Sequence, residues 1–312
     1  MFESQRVIVP PAKTAVFLVG TIVPGGEATV RDLLEDVAGL LRSVGYRAPY
    51  AELSCVVGVG SHAWDRLFAG PRPRDLHPFV PLEGPIHKAP STPGDVLFHL
   101  RAHEMDLCFE LARLIAGRLA GAVTMVDEVH GFKYFDERDL LGFVDGSENP
   151  GYQAAADAVL VGAEDEHFMG GSYVIVQKYL HDLVAWNALT TQEQENVIGR
   201  SKLANMEMPD EVKPPDSHVA LNTITDEDGN EQKIVRENMP FGTIGKREFG
   251  TYFIGYARTP EVTERMLRNM FLGDRPGIHD RILDFSRATT GCLFYVPTVD
   301  FLDDLPQPPD RP

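Results

Sequence analysis

From Lys13 to Val129, apolar runs of strand length alternate with amphipathic helical stripes, and that order is compatible with few architectures. Lys13 to Gly20 is a continuous apolar run suited to a buried strand, and Gly25-Gly26 break the chain behind it. Val30, Leu33, Leu34, Val37, Leu41 and Val44 then recur at three- and four-residue spacing, so a helix with one buried face is expected there, with Thr29 as its N-cap. Further strands are expected at Glu52 to Gly58, Val96 to Leu100 and Ala122 to Val129, with a Pro-rich loop from Pro71 to Pro93. A second helix, Glu104 to Leu119, carries Leu107, Leu111, Leu114 and Ile115 on one face. The resulting order, βαββαβ, is ferredoxin-like.

The second half reuses that plan. Strands are expected at Tyr173 to Lys178, Gly250 to Tyr256 and Cys292 to Val296, with helical stretches between Leu180 and Gly199. Thr259 and Pro260 read as N-cap and first residue of a helix whose stripe is Val262, Met266, Met270 and Phe271. The expected fold is therefore α+β: two fused ferredoxin-like units with antiparallel sheets and peripheral helices. The N-terminal half spans 1–150, the C-terminal half spans 151–302 and carries the pocket, and 303–312, ending Pro308-Pro309-Asp310-Arg311-Pro312, is expected to be a disordered tail.

Composition narrows the function classes. A formal charge of −17 argues against nucleic-acid or anionic-membrane partners, which call for clustered Lys and Arg. No segment approaches the run of about 20 apolar residues that a membrane span needs, and the amino terminus makes no convincing export signal, so a cytoplasmic location is expected. Three scattered cysteines, Cys55, Cys108 and Cys292, lack metal or disulfide spacing and read as small buried apolar residues. No CxxCH motif is present either.

Two local patterns bear on chemistry. In GFVDGSENP, Gly142 to Pro150, Asp145-Gly146 reads as a tight turn, and also as an acid held where it can move a proton. Between Asp216 and Asn238, HVALNTI and KIVREN flank a turn at Asp228-Gly229, which suggests a long-looped hairpin with His218 on its first strand. On the second strand Arg236 and Asn238 share one face, while Val235 and Glu237 share the other. His99 and His103 stand four apart, but His99 falls in an expected strand, so a metal pair is not expected.

Together, Asp145 in GFVDG, His218 in DSHVALNT and Arg236 with Asn238 in VRENMPFG resemble type B dye-decolorising peroxidases in order and spacing, as does FGTYFIGYARTPEVTERMLRNMFLG. Ser147 replaces the Thr expected after the DG pair and keeps its hydroxyl. The resemblance implies haem b (iron protoporphyrin IX), with His218 as the metal ligand and Asp280 hydrogen-bonded behind it; Asp284, one helical turn away, is the competing candidate for that place. It implies Asp145, Arg236 and Asn238 as catalytic residues, and Gly146, Ser147 and Arg236 as cofactor contacts. An ionised Asp145 would shuttle a proton during peroxide cleavage, kept charged by Arg236 against burial.

The implied activity is peroxidase: hydrogen peroxide is reduced while small aromatic, dye-like or phenolic donors lose single electrons. The implied partners are those small molecules and further copies of the chain as a homo-oligomer; an encapsulating shell protein is a further candidate, although the carboxyl end carries no clear targeting peptide. The alternatives are a haem or coprohaem processing enzyme of the same fold and a nonenzymatic haem carrier.

Overall fold

The computed structural model describes residues 2–309. Its framework is one ten-stranded sheet. The strands are β1 (Thr14–Ile22), β2 (Ser54–Gly60), β3 (Val96–Ala102), β4 (Val123–Phe132), β5 (Ser172–His181), β6 (Val235–Arg236), β7 (Met239–Thr243), β8 (Glu248–Ala257), β9 (Ser286–Ala288) and β10 (Cys292–Val296). They run in the order β6-β8-β5-β10-β2-β3-β1-β4, with β7 on β8 and β9 on β5. The first-half order, β2-β3-β1-β4, is the antiparallel ferredoxin-like arrangement, and the second half repeats it as β6-β8-β5-β10. The two units merge into a single sheet where β10 pairs with β2, Phe294 opposite Gly60 and Tyr295 opposite Val59.

Continuous apolar strands are explained by burial on both faces. Along β1, Val16 and Leu18 enter the core beneath the helices, whereas Ala15, Phe17 and Val19 enter a second core on the other face. The helices covering the first face are α1 (Glu27–Gly45), α2 (Met105–Arg118) and, after α3 (Thr191–Ile198) and α4 (His218–Asn222) near the pocket, α5 (Pro260–Leu272). α1 buries Val30, Leu33, Leu34 and Val37 as its spacing requires. Its N-cap is Gly26 rather than Thr29; a Cβ at Gly26 would stand 2.3 Å from the carbonyl of Ala122, so the chain must be bare there. The buried stripe of α2 is Cys108, Leu111, Ala112 and Ile115, rotated from the expected one, with Leu107 and Leu114 at its margin. Thr259 and Pro260 start α5 as expected.

Residues 303–307 of the expected tail dock on the body: Leu305 is buried, and the Gln307 carbonyl accepts from the Ala69 N–H at 2.8 Å. The last three residues of that tail lie outside the described ones. All three cysteines are buried and free, as their scatter suggested.

Candidate active site

His218 does not sit on a strand. Buried Ser217 caps α4, its Oγ accepting from the Ala220 N–H at 3.4 Å, and this local bond favours a helical turn over a ladder. The hairpin predicted here is shorter, pairing Ile224–Thr225 with Glu231–Gln232. Gly199, at φ +89°, ends α3 against this turn; a Cβ there would approach Ser217 Oγ to 2.8 Å. The α4 start and the α3 end are thus fitted to each other.

His218 Nδ1 lies 2.7 Å from Oδ2 of Asp280, which is fully buried. Asp280 is itself fixed, because its Oδ1 accepts from the Ile282 N–H at 3.0 Å. Asn222 Nδ2 donates to the His218 carbonyl at 2.8 Å and to Asp280 Oδ2 at 3.3 Å. A carboxylate only accepts, so Nδ1 carries the ring proton and Nε2 keeps its lone pair. Asp284, the other candidate for this place, instead meets His87 and His279.

The GFVDGSENP segment is anchored at its start by a small core of Leu141, Phe143, Trp186, Val197 and Ile198, with Trp186 Nε1 donating to the Leu141 carbonyl at 2.9 Å. The Asp145 N–H donates to the Glu137 carbonyl at 3.0 Å, and Gly146 turns the chain at φ +81°. Asn238 Nδ2 donates to Asp145 Oδ1 at 3.2 Å, while Asn238 Oδ1 accepts from the Ile254 N–H at 3.0 Å. The amide is therefore held by β8 and points its donor at the acid. Ser147 Oγ accepts from Asn205 Nδ2 at 2.9 Å, so its hydroxyl ties the turn to the 201–206 loop. Glu237, on the opposite strand face from Arg236, forms a buried ion pair with Arg101 of β3.

His218, Asp145, Gly146, Ser147, Arg236 and Asn238 line one pocket. Asp280 stands behind it. Arg236 lines the same pocket as Asp145 and makes no ion pair among the described residues. Phe253, Met266, Leu267, Met270 and Ile282 supply apolar wall. A wide apolar slot entered by an imidazole with its Nδ1 proton already committed is the donor set that a noncovalent haem requires.

Sequence reasoning missed several residues here. Asn149 clamps Arg236 through its side-chain amide, accepting from the Arg236 N–H and donating to its carbonyl. Asp139 lines the same pocket; burial and then the charge of Asp145 push its carboxyl up to about 7, against the bonds donated by the Phe143, Gly142 and Leu141 N–H groups. His181, between Ser286 Oγ and Thr251 Oγ1, is pushed down to about 4 by burial and stays neutral. Arg200 adds a second cation, paired with Glu148. Only Asn149 carried a signal, since it lies inside the motif; the others come from segments whose apposition no local pattern announces. His99 is buried and bonds Tyr256 Oη at 2.8 Å, as a core histidine does.

Two family models divide the chain: Dyp-type peroxidase, N-terminal, matches residues 5–133, and Dyp-type peroxidase, C-terminal, matches 136–301. A dye-decolorizing peroxidase of Mycolicibacterium paratuberculosis is 62% identical over 98% of this chain and 87% of its own length. Among solved structures, the encapsulated DyP-type peroxidase from Mycobacterium smegmatis superposes with a TM-score of 0.98 at 61% identity, covering 99% of this chain and 100% of that one. A variant of DypB from Rhodococcus jostii RHA1 in complex with heme gives a TM-score of 0.95 at 58% identity, covering 97% and 98%.

Proposed function

Because the chain belongs to the Dyp-type peroxidase family and is a haem-dependent peroxidase, we propose that His218 is its iron ligand and that Asp145, Arg236 and Asn238 act on peroxide. The reaction reduces hydrogen peroxide and oxidises dye-like or phenolic donors by one-electron steps. The observation that carries the site assignment is that one pocket is lined both by His218, anchored on Asp280, and by the Asp145, Arg236 and Asn238 set.

When bound, haem supplies the two-electron reduction of peroxide and takes the electrons back from the donor one at a time. Everything else falls to the chain. His218 Nε2 would hold the iron, and Asp280, by accepting from Nδ1, makes the imidazole more basic and fixes its plane. Asn238 occupies Asp145 Oδ1, which leaves Oδ2 to take the proton from one peroxide oxygen and return it to the departing one. Arg236 stabilises the negative charge that develops as the O–O bond opens, in a pocket where apolar walls limit screening. An acid and a guanidinium facing the pocket favour peroxidase over haem processing or carriage, neither of which needs them.

No helix among the described residues is long and apolar enough to cross a membrane. We further propose that the chain works in the cytoplasm as a homo-oligomer whose second half, with the 139–148 segment, carries the pocket. Its near-complete likeness to an encapsulated relative supports a protein shell as partner. Substitution tests the ligand assignment: His218→Ala abolishes stable haem loading, and a fully haem-loaded variant overturns it.

A further inference from the structure

A second group of ligating side chains lies outside the pocket and has no part in the reaction. His87 lies between the two-residue strands Leu82–Glu83 and Lys88–Ala89 in the first half; in the second, His279 precedes the 281–284 turn and Asp284 ends it. Both imidazole Nε2 atoms converge on the same oxygen, Asp284 Oδ1, from 3.0 Å for His87 and 2.9 Å for His279. All three ligand atoms fall within 4.8 Å of one another. The other carboxylate oxygen, Oδ2, accepts from Arg281 Nε at 3.3 Å.

The two nitrogen–oxygen separations equal an octahedral edge, since metal–ligand bonds of about 2.1 Å give ligand–ligand edges of roughly 3.0 Å, and the two imidazole nitrogens lie within 4.8 Å of each other. Two imidazoles and one carboxylate are a donor set for borderline ions of the zinc kind, whereas calcium and magnesium take oxygen ligands. The side chains of His87 and His279 are 20% and 19% exposed, enough for an ion to enter and keep a water ligand.

We propose that His87, His279 and Asp284 form a binding site for a divalent zinc-type ion, bridging the two halves of the chain. Binding moves each imidazole proton from Nε2 to Nδ1 and replaces two N–H donors on Asp284 with one cation. The ion then ties the turn at His87 to the segment that begins at Asp280, the partner of His218. The neighbouring Arg281 weakens the site without closing it.

The test counts metal on the haem-loaded, chelator-washed full chain after dialysis against buffered zinc chloride, with zinc and iron measured separately by mass spectrometry. One zinc per chain is expected, falling about tenfold or more in His87→Gln and in Asp284→Asn, while His130→Gln, at an exposed pair with Glu128, keeps it. Circular dichroism reports whether each variant is folded; should one be unfolded, the parent's own melting midpoint decides, rising with zinc and falling back with EDTA. Parent protein that retains no zinc and does not shift its midpoint, or folded variants that retain as much as the parent, leaves only a hydrogen-bonded cluster and overturns the proposal. The count is independent of peroxidase activity and of the His218 assignment.

Discussion

The side-chain amide of Asn149 spans both backbone polar groups of Arg236, accepting from its N–H at 2.9 Å and donating to its carbonyl at 2.7 Å. Asn149 thus acts as a one-residue strand partner on the free edge of β6, and it couples the turn that carries Asp145 to the residue that carries the guanidinium. Asn149→Ala leaves two backbone groups without their partner, at a cost of about 1–3 kcal/mol. Stopped-flow mixing with peroxide should show a rate at least tenfold below the parent with haem content unchanged, as a small misplacement of Arg236 demands. An unchanged rate would show that the clamp does not position the arginine.

Arg236→Leu keeps the apolar stem and removes the charge. Haem should still load, because His218 and Asp280 are untouched, while the peroxide rate constant falls by roughly two to three orders of magnitude, the scale of losing one preorganised stabiliser. A rate within a factor of two of the parent contradicts the role.

Asp280→Asn exchanges a buried carboxylate for an amide at the Nδ1 side of His218. The imidazole becomes a poorer donor, so the oxidised iron is less favoured and the reduction potential rises. Spectroelectrochemical titration reads this directly; a lower or unaltered potential counts against Asp280 as the tuning partner.

The raised carboxyl of Asp139 makes stability depend on pH. The unfolded chain releases this proton near the ordinary aspartate value of 3.8 and the folded chain near 7, so this group's contribution is full below the lower value and is lost as pH rises through about 7. Asp139→Asn removes the titration. Relative to the parent, the variant should gain on the order of 1–2 kcal/mol between pH 5 and 8.5, less than the full shift implies because the carboxyl opens on the pocket. Urea midpoints at the two pH values measure it, and a gap between variant and parent that does not change with pH would reject the assignment.

Arg101, which is buried, pairs with Glu237, and here burial raises the Glu237 carboxyl while Arg101 draws it back. Glu237→Leu strands a guanidinium that is 1% exposed, so a loss of about 3–5 kcal/mol is expected in equilibrium unfolding. Double replacement of both partners by leucine should recover much of it; a single variant as stable as the parent would mean that the pair is not desolvated.

The strands and long helices were legible because apolar periodicity records burial directly: α1 buries the Val30, Leu33, Leu34 and Val37 stripe, and β10 spans Cys292–Val296 as expected. What failed was local competition. Ser217 captured the His218 segment for a helix, and Gly26 replaced Thr29 at a cap because a neighbouring carbonyl left no room for a Cβ. The pocket residues Asp139, His181 and Arg200 carry no periodicity and are assembled only by tertiary apposition. Asp284 illustrates the same limit, since it competed with Asp280 for the place behind His218, yet its carboxylate faces His87, nearly two hundred residues away in sequence, at 3.0 Å.

The most direct test of the central claim is the absorption spectrum of the haem-loaded protein, followed by stopped flow as one equivalent of hydrogen peroxide is added and then a phenolic donor. The haem bands should change at once and return to their starting form as the donor is consumed, at a rate that falls sharply in Arg236→Leu. Bands that stay unchanged in the parent on adding peroxide would contradict a peroxidase pocket built from His218, Asp145 and Arg236.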